Sequence, residues 1–291
     1  MIRSVEKLSG VACEAAVAVV VICLAATPIA AQAPASGQFP PYKAPRLAGT
    51  ATPDLNGIWQ AITTANWDIQ DHDAQPGLHP ELEGAYDAQP PGQGIVVGGE
   101  IPYQPWALAK KKENFDKRLT ADPFHLDTGD PEAKCYLPGV PRATYMNFPF
   151  QIIQSKTDVL IAYEYAGNGR AIHLGKLPPP PTDSWMGQSE GHFEGDTLVV
   201  TATGFNDRTW LDRAGDFHSD ALKVTERYTP ASPYHLMYEA TIEDPKVFTR
   251  PWKIGFPLYR RMEKNIEILQ FKCVEFVEEF LYGTLRKPGT R

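Results

Sequence analysis

The sequence predicts a mainly β protein: antiparallel strands closed into a barrel or folded as a sandwich, with one inserted amphipathic helix and a short helix near the C-terminus. Three observations carry this. Gly 23 and Pro 27 together make 50 of 291 residues, about 17% against roughly 12% in ordinary usage, so turns interrupt many short elements. Alternation of apolar and polar residues with period two recurs in seven or more segments, spaced by roughly 8–12 residues. A period of 3.6 is sustained in one internal stretch, and 43% hydrophobic with 22% charged residues is a globular composition.

The elements follow in chain order. Arg3 and Lys7 precede an apolar run from Val11 to Ala26 broken only by Glu14, and Ile29-Ala30-Ala31 offers small residues for cleavage, so 1–31 is expected to be a secretory signal. The run is shorter than the roughly 20 residues a spanning helix needs, so no stable membrane insertion is expected after cleavage. Gln32 to Thr52 is rich in Ala, Pro and Gly and is expected to be a linker, with a single barrel domain over 53–291. Gly57-Ile58-Trp59-Gln60 opens the first strand, and residues 66–102 are an irregular connection. Pro105 stands at a tolerated first-turn position, and Trp106, Leu108, Ala109, Lys112, Phe115 and Leu119 at helical spacing predict a helix over 105–119.

Beyond Arg142 the period becomes two. Phe150–Gln154, Val159–Tyr165 and Arg170–Leu174 predict a three-strand meander. His192–Glu194 with Asp196–Thr203, then Ala221–Thr229 with Tyr234–Glu243, predict two more hairpins, and Ile266–Phe271 a last strand. Val274, Val277, Leu281 and Leu285, opposite Glu275, Glu278 and Glu279, predict the closing helix.

The charge is −7, from 28 basic and 35 acidic residues, which argues against nucleic acid and anionic membrane surfaces as partners. Cys13 and Cys23 would leave with the signal. Cys135 and Cys273 then remain as a pair without metal spacing. In an oxidising compartment, periplasmic or secreted, they read as one disulfide, the alternative being two buried thiols.

Gly57-x-Trp59 on a first strand resembles the opening of the calycin and lipocalin-like barrels, in which the Trp plugs one end. Tyr136-Leu-Pro-Gly-Val-Pro-Arg142, Trp185-Met-Gly187, Phe193-Glu-Gly-Asp-Thr-Leu-Val-Val200, Asp212-Arg-Ala-Gly215, His218-Ser219, Glu226-Arg-Tyr228 and Thr241-Ile-Glu-Asp-Pro245 resemble strings of a large family of exported soil-bacterial proteins, over about 53–288. That resemblance implies export and a lipocalin-like barrel, and no reaction.

No G-x-S-x-G, H-E-x-x-H, G-x-G-x-x-G or P-loop occurs, so no organic cofactor is expected and catalysis would rest on scattered acid/base groups. Alternation along Leu222, Val224, Glu226 and Tyr228 puts Glu226 on the apolar face, either as a general acid or in an ion pair with Arg142 or Arg170. His218, on the loop before that strand, is the candidate base at the barrel mouth, with Asp207 beside it. Tyr163 and Tyr165 would grip a small apolar or aromatic ligand or bond within the core. Arg142, Arg170 and Trp185 complete the expected substrate-contacting set. Asp68, Asp71, His72 and Asp73 offer oxygen and nitrogen ligands that would suit a divalent ion but lack the EF-hand pattern; the alternative is a solvated acidic loop, and no metal ligand is assigned among them. Two functions compete: an exported lyase, isomerase or hydrolase, and a non-catalytic lipocalin-like carrier of a small hydrophobic ligand.

Overall fold

The computed structural model describes residues 42–76, 88–118, 120, 128–271 and 273–274. The expected signal, the first part of the linker and the C-terminal helix past Val274 lie outside the described residues. Among the described residues no helix is long and apolar enough to cross a membrane.

Nine strands close into a barrel in sequence order: β1 (Gly57–Ala61), β2 (Phe150–Gln154), β3 (Asp158–Tyr163), β4 (Gly169–Leu174), β5 (Gln188–Glu194), β6 (Thr197–Thr203), β7 (Lys223–Ser232), β8 (His235–Glu243) and β9 (Trp252–Arg260). The expected meander and hairpins are β2–β4, β5–β6 and β7–β8. The sheet is not purely antiparallel, because β4 and β5 run parallel, with Ile172 opposite Ser189. An odd number of strands joined only by hairpins would have to close with a parallel pair. Placing the parallel pair at β4–β5 instead lets β1 meet β9 antiparallel, Trp59 opposite Arg260. A parallel pair needs a crossover of about a dozen residues, and 175–187, with its run Pro178–Pro181, supplies an extended one.

The connections sort by end. Tight turns at 155–157, Gly195-Asp196 and Pro233-Tyr234 occupy one end. The other end collects 62–149, 164–168, 204–222 and 244–251, and the crossover returns there. Helices α1 (Pro105–Lys117) and α2 (Arg142–Tyr145) and the 3-10 turns Glu132–Lys134 and Tyr165–Gly167 belong to these long connections.

Inside the barrel, period-two alternation buries Val224, Glu226 and Tyr228 on β7, Tyr238, Ala240 and Ile242 on β8, and Trp252, Ile254, Phe256 and Leu258 on β9. Trp59 is buried, its indole N–H donates to Leu55 O at 3.1 Å, and the Arg260 guanidinium lies 4.2 Å from its ring centroid. Gly57, at φ 149°, makes room for that arginine: a Cβ there would stand 2.3 Å from its Nη1.

Four further expectations change. The last strand is Trp252–Arg260, and Ile266–Phe271 forms no strand. Tyr165 does not continue β3 beside Tyr163 but begins a 3-10 turn, which sends the two phenols to different places. Helix α1 buries Ala107 and Asn114, while Trp106 and Leu108 of the expected apolar stripe are exposed. The end of the expected linker packs on the barrel: Ala44 is buried, and Arg46 pairs with Asp196 in the β5–β6 turn. Cys135 and Cys273 form the disulfide, with a Cα–Cα distance of 5.2 Å.

Candidate functional site

The predicted pair, Glu226 and His218, is placed in two separate environments. Glu226, in the middle of β7, is fully buried. Its Oε1 accepts from the Tyr228 and Tyr238 hydroxyls, both at 2.9 Å, and from Arg170 Nη1 at 3.1 Å, while Oε2 takes Arg170 Nη2. Arg170 Nε donates to Ser189 Oγ at 2.9 Å. Burial pushes the Tyr228 and Tyr238 phenols well up, and Glu226 adds to it, so both stay protonated donors. This is the ion-pair alternative, with Arg170 rather than Arg142 as partner.

His218 is buried rather than held at an open mouth. Its Nδ1 bonds the Ser219 carbonyl at 2.9 Å, its Nε2 bonds the Thr209 hydroxyl, and its ring meets Phe205 edge-on. Burial lowers its pKa below the usual histidine value, outweighing Ser219, Asp244 and Asp207. His218 and Glu226 share no hydrogen-bond partner. Asp207 is exposed, Trp185 stacks on Tyr136 at 5.0 Å, and Tyr163 is buried in the barrel against Phe150.

The long connections build something the sequence reading did not assemble. Arg142, at the start of α2, is fully buried and grips Asp130 with two parallel bonds of 2.8 and 2.7 Å, Glu132 at 3.1 Å and Asn66 Oδ1 at 2.8 Å. Arg213 grips the other side of Glu132 at 2.9 and 3.2 Å. Two guanidinium groups against two carboxylates balance in charge, the condition under which such a buried set is tolerated. Burial alone would raise the Glu132 carboxyl, but Arg213 and Arg142 outweigh it and hold it below the usual range.

Over this network opens a cleft of about 310 Å³. Trp67, Phe148, Tyr165 and Phe271 form its apolar walls, and Glu132, Arg213 and Asn66 its polar lining, with Cys273 of the disulfide at its edge. Tyr165 and Phe271 stack at 5.2 Å, Phe148 touches both, and the Arg213 guanidinium lies 5.6 Å from the Trp67 ring centroid. The Tyr165 hydroxyl donates to Glu132 O at 2.8 Å, and burial followed by Glu132 raises its pKa. Burial raises Tyr165, and the charge pairing lowers Glu132 and raises Arg213, so each of these shifts runs away from neutral pH.

Beside two of the cleft segments, at Trp67 and Arg213, stands a cluster of carboxylates. Asp68 follows Trp67, Asp212 precedes Arg213, and Asp216 completes a set whose oxygens lie within 4.8 Å of one another. Asp212 and Asp216 are fully buried. Asp212 accepts from the backbone N–H of Ile69 at 2.9 Å and of Asp216 at 3.0 Å; Asp216 Oδ1 accepts the Tyr103 hydroxyl at 2.5 Å. Lys111 on α1 approaches Asp216 Oδ2 at 3.5 Å. Burial, then Asp216, then Asp68 push the Asp212 carboxyl well above the usual range. Of the acidic loop expected to group with Asp68, Asp71 accepts from Gly94 N–H, His72 bonds Gln70 O, and Asp73 is exposed.

The sequence signal for this cluster was the i, i+4 spacing of Asp212 and Asp216 around Gly215. Nothing local linked it to Asp68 or Lys111. No family model matches the chain, and neither a curated protein nor a solved structure matches it. The site is therefore read from its own chemistry.

Proposed function

We propose that the protein binds a small planar aromatic molecule in the cleft at the long-loop end of the barrel, as an exported binding protein rather than through a ligand held inside the barrel. The observation that carries this is the cleft itself: four aromatic side chains around about 310 Å³, beside a guanidinium already fixed by a carboxylate. That volume is at the low end of ligand pockets, about 300–1,000 Å³, and suits one or two fused rings. Aromatic walls favour flat π-systems, and Arg213, with Nε and Nη2 engaged on Glu132, keeps Nη1 for an electron-rich substituent. The Cys135–Cys273 disulfide fits an oxidising compartment and supports export.

Fluorescence titration of the purified protein with indole, benzoate and 4-hydroxybenzoate tests the reading. Saturable binding that is lost in Phe271→Ala and weakened in Arg213→Ala for the carboxylates is expected. Absence of binding to all three, or binding indifferent to Phe271→Ala and Trp67→Ala in folded variants, overturns it.

A second reading, an exported acid/base enzyme, draws on Asp212 instead of His218 and Glu226. A buried carboxyl raised beside a second carboxylate is the arrangement in which one group can hold a proton at neutral pH while its neighbour accepts one. Turnover of the same aromatics by the wild type, abolished in Asp212→Asn, would favour it over binding alone.

A further inference from the structure

We propose that Asp68, Asp212 and Asp216 form a binding site for a hard divalent cation of the calcium class, joining the β1–β2 and β6–β7 connections beneath α1. The donor set is all oxygen and all carboxylate, which suits calcium, magnesium or manganese and disfavours soft metals. Two oxygens on opposite sides of a calcium ion are about 5 Å apart, and the three carboxylates here already bring one oxygen each within 4.8 Å of the others.

Acidic residues alone would not make a site, and a second observation points to a ligand. Asp216 is fully buried, and its Oδ2 accepts no hydrogen bond. The cation paired with it among the described residues, Lys111 Nζ, stands at 3.5 Å, on a side chain that is 19% exposed. A buried carboxylate oxygen that accepts no hydrogen bond and meets its cation only at ion-pair distance calls for an explanation. The remaining oxygens are held as metal-ligating carboxylates are held: the Ile69 and Asp216 N–H groups orient Asp212, the Gln70 N–H at 2.8 Å orients Asp68, and the Tyr103 hydroxyl orients Asp216. Lys111 reaches in from the surface of α1 on a flexible stem, so a divalent ion competes with it for Oδ2 and can displace it without moving the backbone.

The test uses the full chain freed of metal with EDTA. Terbium, a calcium-sized ion whose emission is sensitised by nearby aromatic rings, reports on Tyr103 directly. Expected are saturable terbium emission, its displacement by calcium, a rise in the thermal midpoint with calcium, and a loss of affinity of about tenfold or more in Asp216→Asn. Lys111→Met should bind more tightly, a change no merely structural role of the carboxylates would produce, and Asp71→Asn should bind like the wild type. Should Asp216→Asn fail to fold, Asp68→Asn, at the half-buried member, carries the same expectation. No emission and no calcium-dependent stabilisation at millimolar calcium, or equal binding by the wild type and the folded Asp68 and Asp216 variants, overturns the site.

Discussion

Arg170 and Glu226 form an ion pair buried on the inner face of the barrel. Their charges lie across the barrel interior with Tyr228, Tyr238 and Ser189 as the remaining partners. Breaking such a pair by removing one charge strands the other, which costs about 3–5 kcal/mol, whereas replacing both with apolar groups of similar volume is often neutral or better. Chemical denaturation of Glu226→Gln should therefore show a loss of that order, and Arg170→Met/Glu226→Leu should recover most of it. A catalytic Glu226 would instead tolerate Glu226→Gln with its stability little changed. His218 yields a second prediction. Its folded pKa is lowered by burial, so below the ordinary value of about 6.5 the unfolded chain takes up a proton that the folded chain refuses. Stability should fall as pH drops through that window, and the fall should be shallower in His218→Gln. Equal pH slopes of the melting temperature in the two proteins would refute it.

Among the elements, those with partners next in sequence were legible, because alternation and turn residues are local. Phe150–Gln154, Thr197–Thr203 and His235–Glu243 announce themselves in this way. Strand β9 does not, since Gly255 and Pro257 read as interruptions. In the fold both fall at positions between the inward-facing Ile254, Phe256 and Leu258, and β1 pairs with β9 only from Leu258 onward, just beyond the proline. Ile266–Phe271 alternates well enough but finds no neighbouring strand. Helix α1 was legible as a helix and misread as to face. It docks through Ala107, Lys111 and Asn114, because Gly215 lets the 212–216 loop come close. A Cβ on Gly215, at φ 93°, would stand 2.6 Å from Asn114 Cβ. Gly215→Ala should therefore cost on the order of 1–3 kcal/mol and loosen α1, seen as faster amide exchange over Pro105–Lys117. Unchanged exchange there would show that the helix is held by other contacts. The site's Glu132, Arg213, Asp212 and Lys111 were illegible for the same reason: their proximity depends on two long connections folding against each other.

Across the whole molecule, the division of labour between the two ends decides where chemistry can reside. The end with tight turns carries surface pairs, Arg46–Asp196, His173–Asp158 and Arg227–Glu194 among them, while the other carries both the aromatic cleft and the carboxylate cluster. A rigid barrel presenting long connections on one side is a common way to place a binding surface. The closure that makes the barrel rigid has a consequence in time. The β1–β9 seam joins Trp59 to Arg260, two positions separated by nearly the whole described chain, through only three paired residues on each strand. Contacts so distant in sequence form late, since loop entropy must be overcome before they are rewarded. Until they form, β1 and β9 are open edges able to recruit a second chain. Pro257 and the exposed Lys253 of β9 are residue types that discourage such recruitment, so the same proline that hides the strand from a sequence reader guards the nascent protein against aggregation.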